Sequence, residues 1–443
     1  KELIVVDITN KASPSEVGSY NSDEGANGFS IFTVGSTAYL GTTNNNGSGD
    51  HEFYVLDVST PTSISLLGSF DVQQVVRDIY VSGNYAYLAT GNNSKEFIIL
   101  NITNPGSIIE EDVYNTPSNN DAFGITYSNN QVFLVTNNNG GGHDFFVFNV
   151  SVPNSISLTG SINLNSNNRS VAVSGNNAFV ATETNSQGLK VVDISVPASP
   201  VQLSTYNTNS DVNGLYFAND QIYLAAEHNS LELQIVGPGL SVPSFITLLG
   251  SADLGADNRD VSVSSSLAYV ASLDFFDGLK VVDLEQISNP VELTTFDTNS
   301  DCSASNFYNS YVYMACEDNS QELKIIGPGI VPFVYVSQGW FTSASYDTTN
   351  ANSVLNKISW SQSGTGTIKF QIRTAPDASG SPGSWTDWLG PTNNNDYYTD
   401  FGGADIINPT HRDGSADQWI QSRGFFSGNS SNTPILEDIT INY

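Results

Sequence analysis

The sequence predicts an all-β protein, a β-propeller followed by an antiparallel β-sandwich, and three observations carry that reading. A short β-branched, apolar run ending on Asp, Asn or Gly recurs eight times: LIVVD to Asp7, FYVLD to Asp57, FIILN to Asn101, FVFN to Asn149, LKVVD to Asp193, LQIVG to Gly237, LKVVD to Asp283 and LKIIG to Gly327. Successive copies end 44 to 50 residues apart. That period belongs to propellers and helical arrays, and units so rich in β-branched residues and turns exclude the helical choice. Past residue 336 the period vanishes and all the tryptophans appear: Trp340, Trp360, Trp385, Trp388 and Trp419.

Each period divides into four strands. The run Asp78 to Val81 meets a Ser82-Gly83-Asn84 turn, then Ala86 to Ala89, then FIILN, and after Asn104-Pro105 a fourth run ends near Tyr114. Gly and Asn tolerate the positive φ of a tight hairpin, and proline blocks continuation of the third strand. The unit is one four-stranded blade, and blades start near Asn27, Arg77, Asp121, Arg169, Asp211, Arg259 and Asp301. Both ends of the region offer a third-strand copy, so seven blades are expected, the last mixing strands from both ends to leave no free edge. A second pattern favours pairs: Gly188 to Asp193 recurs at Gly278 to Asp283 and Glu232 to Gly239 at Glu322 to Gly329, each 90 residues on. Pairs would suit eight blades, the alternative, if two strands lay upstream of Lys1.

The propeller is assigned residues 1–336 and the second domain 337–443. In the latter, strands are expected at 354–361, 367–374, 417–426 and 435–443, with alternation in Ile368 to Arg373 and Trp419 to Arg423. Such strands among Gly, Ser and Asn loops read as a sandwich.

Val81 to Ala89, Val173 to Ala181 and Gly188 to Pro200 resemble the LVIVD-repeat propeller family of prokaryotic surface proteins. The resemblance covers roughly residues 1 to 335. It implies a secreted or surface-attached protein, in some cases joined to a pilin-like N-terminal helix. The second domain, with Phe370-Gln-Ile-Arg-Thr374, Trp385-Thr-Asp-Trp388 and a closing Thr433 to Tyr443, resembles jelly-roll modules of bacterial surface proteins, an architecture shared with carbohydrate-binding modules and with purely structural domains.

Composition bounds the partners. Fourteen Lys plus Arg against 45 Asp plus Glu give a net charge of −31, which repels polyphosphate, so nucleic acid is not expected. No apolar run reaches the ~20 residues a membrane span requires. The chain starts at Lys1 inside a strand pattern, so a leader or anchor is expected to have been removed or omitted. No cofactor is expected. A structural calcium in the acidic loops stays open, although no Asp-x-Asp-x-Asp-Gly loop is present.

Several residues stand out as candidates. Cys302 and Cys316 flank a hairpin centred on residue 309, so simple pairing places them opposite each other as a disulfide; the alternative is two small buried hydrophobes, as at the matching Val212 and Ala226. Arg77, Arg169 and Arg259 open innermost strands and could ring a channel mouth, holding a carboxylate or sulfate. The bland alternative is pairing with the adjacent Asp78 and Asp260. His51, His143 and His228 fall on the same face in alternate blades, too dispersed for zinc. The loops 44–52 and 137–144 read as contact loops on a rigid scaffold. On the sandwich, Trp385 and Trp388 with Tyr397, Tyr398 and Phe401 form an aromatic group suited to stacking on sugars or anchoring an interface.

No Gly-x-Ser-x-Gly elbow, His-Glu-x-x-His, phosphate loop or Cys-x-x-Cys is present. Asp347 or Asp377 with Glu437 is the pair a glycoside hydrolase would need, at ~5 to 9 Å. The expected function is a non-enzymatic extracellular surface protein that adheres to a glycan, a surface protein or copies of itself. The alternatives are a structural subunit of a surface layer or pilus-like filament, and a glycan-active hydrolase.

Overall fold

The computed structural model describes residues 3–7, 14–22, 26–43, 51–117, 120–138, 141–227, 230–237, 245–309, 311–317, 326–328, 338–363, 366–414, 417–427 and 435–443. The chain divides into two compact units, Lys1–Ile330 and Val331–Tyr443. The expected boundary at 336/337 lies outside the described residues.

In the first unit six sheets have four antiparallel strands in chain order, as in Val76–Ser82, Tyr85–Thr90, Phe97–Asn101 and Ile109–Tyr114. The seventh holds Cys302–Tyr308, Tyr311–Cys316, Leu3–Asp7, Pro14–Tyr20 and Ile326–Pro328, in that order. The N-terminal LIVVD thus supplies the missing third strand, with Ile4 opposite Met314 and Val6 opposite Val312, and Ile326–Pro328, which begins with the last two residues of the LKIIG copy, lies at the outer edge beside Pro14–Tyr20. Each innermost strand contacts the next, and Cys302–Tyr308 contacts Gly28–Val34. Among the described residues the innermost strands of seven sheets thus follow one another in a closed circuit of contacts.

Local chemistry explains the repeat. The first hairpins turn on residues with positive φ, Gly35, Gly83 and Gly175 in some sheets and Asn129-Asn130 or Asn219-Asp220 in others. The Asp or Asn that ends the third strand accepts a hydrogen bond from the amide two residues on: Asp57 from Ser59, Asn101 from Thr103, Asn149 from Ser151, Asp193 from Ser195 and Asp283 from Glu285. That Asx turn starts the connection to the outer strand. Second and third strands are buried on both faces because each lies between neighbouring sheets, and the cores are shared accordingly. Tyr87, Ala89, Phe97 and Ile99 of the second sheet pack on Ile125, Leu134, Phe146 and Phe148 of the third. Outer strands approach the next sheet so closely that a Cβ on Gly160 would lie 2.2 Å from the Pro197 carbonyl oxygen.

The second unit holds two antiparallel sheets. One joins Gln338–Thr342, Tyr346–Asp347 and Thr367–Ala375 to Trp419–Ser427; the other orders Ala404–Asp405, Lys357–Ser363 and Ile435–Asn442. Ile358 and Trp360 of one meet Ile368, Phe370, Ile372 and Ile420 of the other in a single apolar core. The strands fall within a few residues of those expected from alternation. Among the described residues no helix is long and apolar enough to cross a membrane.

Candidate functional site

The second residue of every innermost strand is skipped in the pairing register, as Arg77 is between Val76 and Asp78. The same irregularity recurs in all seven sheets. A bulged residue leaves the ladder and its side chain is re-aimed. Here the seven bulged residues, Phe29, Arg77, Phe123, Arg169, Asn213, Arg259 and Ser303, all line one cavity of about 330 Å³ at the mouth of the ring. The residues that follow them, among them Ser30, Asp78, Ser170 and Asp260, form its second tier.

The three arginines do converge, but their partners differ from those the sequence suggested. Arg77 donates to Asp121 at 3.0 Å, Arg169 to Glu183, and Arg259 to Glu227 at 3.3 Å. Asp78 and Asp260 instead bind backbone. Asp78 accepts from the amides of Ile79 and Ile125, both at 2.8 Å, and Asp260 from that of Ser305 at 2.9 Å, so each pins its strand to the next sheet. Both line the channel as half-buried groups, with most of each side chain enclosed by the neighbouring strands. That burial, opposed by the backbone hydrogen bonds, pushes Asp78 up to about 7 and Asp260 to about 6, and the nearby Asp260 charge adds to the rise at Asp78.

Arg77 and Arg169 also stack on Phe123, 4.1 and 3.9 Å from its ring centre, with Phe29 5.8 Å from Arg77. Burial, together with the charge of Arg169, lowers the Arg77 pKa against the pull of Asp121. The Nε atoms of Arg77 and Arg169 are buried with no acceptor among the described residues. Glu317 completes the rim and accepts from the Ser303 hydroxyl at 3.1 Å. The mouth is thus a set of donor and acceptor pairs, in which each guanidinium of the arginine ring expected to hold a carboxylate or sulfate already holds an acid.

The remaining candidates separate. Cys302 and Cys316 are directly opposed and disulfide-bonded. His143 is exposed beside the Ser161 hydroxyl and His51 is half-buried in a different sheet, while His228 and most of the 44–52 loop lie outside the described residues. No group of three or more His, Cys, Asp or Glu suited to a metal occurs among the described residues. In the second unit the aromatic group is split by strand alternation. Tyr398 exchanges both backbone hydrogen bonds with Phe370 and is 1 % exposed in the core, so it cannot belong to a recognition face. Trp385 and Trp388 are half-buried against Arg373, at 4.6 and 4.4 Å, and Arg423 lies 5.0 Å from Trp388. Tyr397 lies under Lys369 at 4.0 Å, and Phe401 alone is mostly exposed. Trp385, Trp388 and Tyr397 thus each pack against a cation of the sheet.

Asp377 accepts from the Trp419 indole and Asp347 from the Gln418 amide, and the Glu437 side chain is outside the described residues. Sequence reasoning passed over His411, which faces the Thr374 hydroxyl at 3.2 Å and the Ile372 carbonyl at 3.2 Å. Both side chains are fully buried, and burial lowers His411 to about 4. With no path for a substrate, this Thr-His pair is a structural polar contact.

The LVIVD repeat family matches residues 1–22, 47–72, 75–116, 167–208 and 255–298. Those segments are similar to LVIVD repeats. The three longest matches cover the second, fourth and sixth sheets, which are those that bring Arg77, Arg169 and Arg259 to the mouth. Among solved structures, a streptogramin B lyase aligns at 13 % identity and TM-score 0.52, over 73 % of this chain and 97 % of its own. A catalytically inactive virginiamycin B lyase from Staphylococcus aureus, with quinupristin, aligns at 12 % and 0.50, over 68 % and 98 %. The computationally designed protein Ika8 aligns at 13 % and 0.50, over 71 % and 99 %. At such identities the likeness is one of fold, shared by enzymes and by a designed protein alike. No curated protein sequence matches this chain.

Proposed function

We propose that this chain is a non-enzymatic recognition protein of the cell surface, and that the mouth of its ring binds a neutral, hydroxyl-rich ligand, a glycan. The observation that carries the reading is the convergence of Arg77, Arg169 and Arg259 on one cavity with each guanidinium already held by a carboxylate. An anion entering there meets Asp121, Glu183, Glu227 and Glu317, and a cation meets three guanidiniums. A sugar hydroxyl both donates and accepts, so it can use the guanidinium N–H groups that face the cavity and the carboxylates together without bringing charge. A cavity of about 330 Å³ is at the lower end of ligand pockets. It suits one or two sugar rings at the end of a chain.

The neighbour named a streptogramin B lyase makes an elimination reaction the competing reading. Support for binding comes from the pairing of Asp121, Glu183 and Glu227 with arginines and from a cavity lining that, among the described residues, holds no histidine, the commonest general base. Adhesion and an extracellular location follow from recognition of a surface glycan, and assembly into a surface layer or filament would use other faces.

The test is a glycan array probed with the full chain and with an Arg77→Gln, Arg169→Gln variant. Hydrogen bonds to charged groups contribute about 1.5–3 kcal/mol, so at least a roughly ten-fold loss of binding to neutral glycans is expected. Unchanged binding in the variant, or preference for sulfated or sialylated glycans, would sink the proposal.

A further inference from the structure

The loops joining second to third strands in the second, fourth and sixth sheets share one length and one turn. The amide of Lys95 donates to the Asn92 carbonyl, that of Gln187 to Thr184 and that of Asp277 to Asp274, at 2.9, 2.7 and 3.1 Å. At the tips of these turns stand Asn93-Ser94, Asn185-Ser186 and Phe275-Phe276. The backbone therefore has no need of aromatics there. Nor does a core: Phe275 is 54 % exposed and Phe276 64 %. The two rings pack edge to face, 5.2 Å apart at 81°, and so present one apolar knob.

The knob is held in place from below. Asp274 accepts from the Phe276 amide at 3.1 Å, and Asp277 accepts from the Thr295 hydroxyl at 2.6 Å. Little ordering remains for a partner to impose, which favours affinity. The surroundings are acidic. Asp253 and Asp277 both act on Glu292, whose pKa is raised by burial first and by these charges after, and Lys280 opposes them. Lys280 itself is 3 % exposed and lies 3.9 Å from Asp274, so it offers no positive charge to a visitor.

We infer that the Phe275-Phe276 turn is a docking point for a protein segment that joins a large apolar side chain to flanking lysines or arginines. An aromatic pair exposed in an otherwise polar turn matches the anchors that dominate interfaces. The carboxylates beside it select the charge of what surrounds the partner's apolar group, and they disfavour both an anionic lipid surface and a second copy of a chain carrying −31.

The test is selection of a displayed random-peptide library on the full chain at low salt, followed by binding of the enriched peptides to a Phe275→Asn, Phe276→Ser variant. That variant carries the residues of the sister turn and is expected to fold with an unchanged circular dichroism spectrum. Enriched peptides should combine Lys or Arg with Leu, Phe or Trp, bind the variant at least ten-fold more weakly, and weaken with added salt. Asp253→Asn with Glu292→Gln should also weaken them. The inference is overturned if no sequence is enriched, if enriched peptides lack cations or bind the variant equally, or if the wild type self-associates through this turn. Glycan binding at the mouth should survive the variant, which separates this outcome from the previous one.

Discussion

Asp78 and Asp260 stand beside arginines in sequence, yet they bind the backbone of the next sheet and so act as struts between innermost strands. Their ionisation ties that role to pH. A carboxyl that titrates at about 7 when folded, as Asp78 does, binds its proton more tightly than in the unfolded chain, where it titrates near ~3.9. Its stabilising contribution is fully present below about pH 4 and is lost as pH rises through about 7, with a slope of at most about 1.4 kcal/mol per pH unit. Asp260, at about 6, acts in the same direction and saturates earlier. Asp78→Asn cannot ionise and turns one acceptor into a donor facing an amide. Urea denaturation between pH 4 and 7 should show a shallower pH dependence for the variant, and a loss of about 1–3 kcal/mol at the acid end. An unchanged slope would mean that Asp78 titrates normally.

The element that repeats is built in two versions, and the buried residue preceding the third strand explains why. In four sheets it is an acid, Glu52, Glu96, Asp144 or Glu232, that accepts amides of the connection to the next sheet: Val72 and Gln73, Thr116, Leu164 and Ser166, or Leu254. In two others it is Gly188 or Gly278, where a Cβ would lie 2.0 Å from the hydroxyl of Thr208 or Thr298. Those threonines bind the Ser210 and Ser300 carbonyls and brace the connection from the opposite side. The closing sheet has its own device, the Cys302–Cys316 disulfide at the position of Val212 and Ala226. Replacing the pair by Cys302→Val and Cys316→Ala keeps an apolar couple already known to fit. The loop-closure estimate for such a bond is about 3 kcal/mol, and the hairpin already holds its ends together, so chemical denaturation should show a smaller loss. A loss well above 3 kcal/mol would assign the bond a larger part in closing the ring.

For the whole first unit, stability depends on the two chain ends meeting. Leu3–Asp7 and Pro14–Tyr20 complete the sheet begun by Cys302–Tyr308, so the ring is closed by pairing between residues some three hundred positions apart. Removing residues 1–22 would expose the edge of Tyr311–Cys316 and uncover Val312 and Met314, both fully buried. Burial of such side chains contributes about 1.5–3 kcal/mol each, and a bare apolar edge recruits other chains. Size-exclusion chromatography of the truncated chain should show aggregation or a low-melting species, and a monomer of unchanged melting temperature would contradict this closure.

The sequence by itself determined what is local. Asp or Asn at the end of each third strand, Gly or Asn in the first hairpin turns and the recurring period specify the four-stranded unit, because each acts within a few residues of chain. Ring closure through the mixed sheet was also legible, since LIVVD is a third strand without a blade of its own. Only the tertiary structure decided what the arginines do. A bulge is invisible to an alternation pattern, yet it turns the second residue of every innermost strand into the channel. The partners Asp121 and Glu227 come from neighbouring sheets, and sequence adjacency pointed to Asp78 and Asp260 instead. Tyr397 and Tyr398 show the same limit: one residue of register separates a ring under Lys369 from a ring in the core, and only the pairing of Tyr398 with Phe370 fixes which is which. Side-chain direction is set by strand pairing across the sheet, and that pairing exists only once the chain has folded.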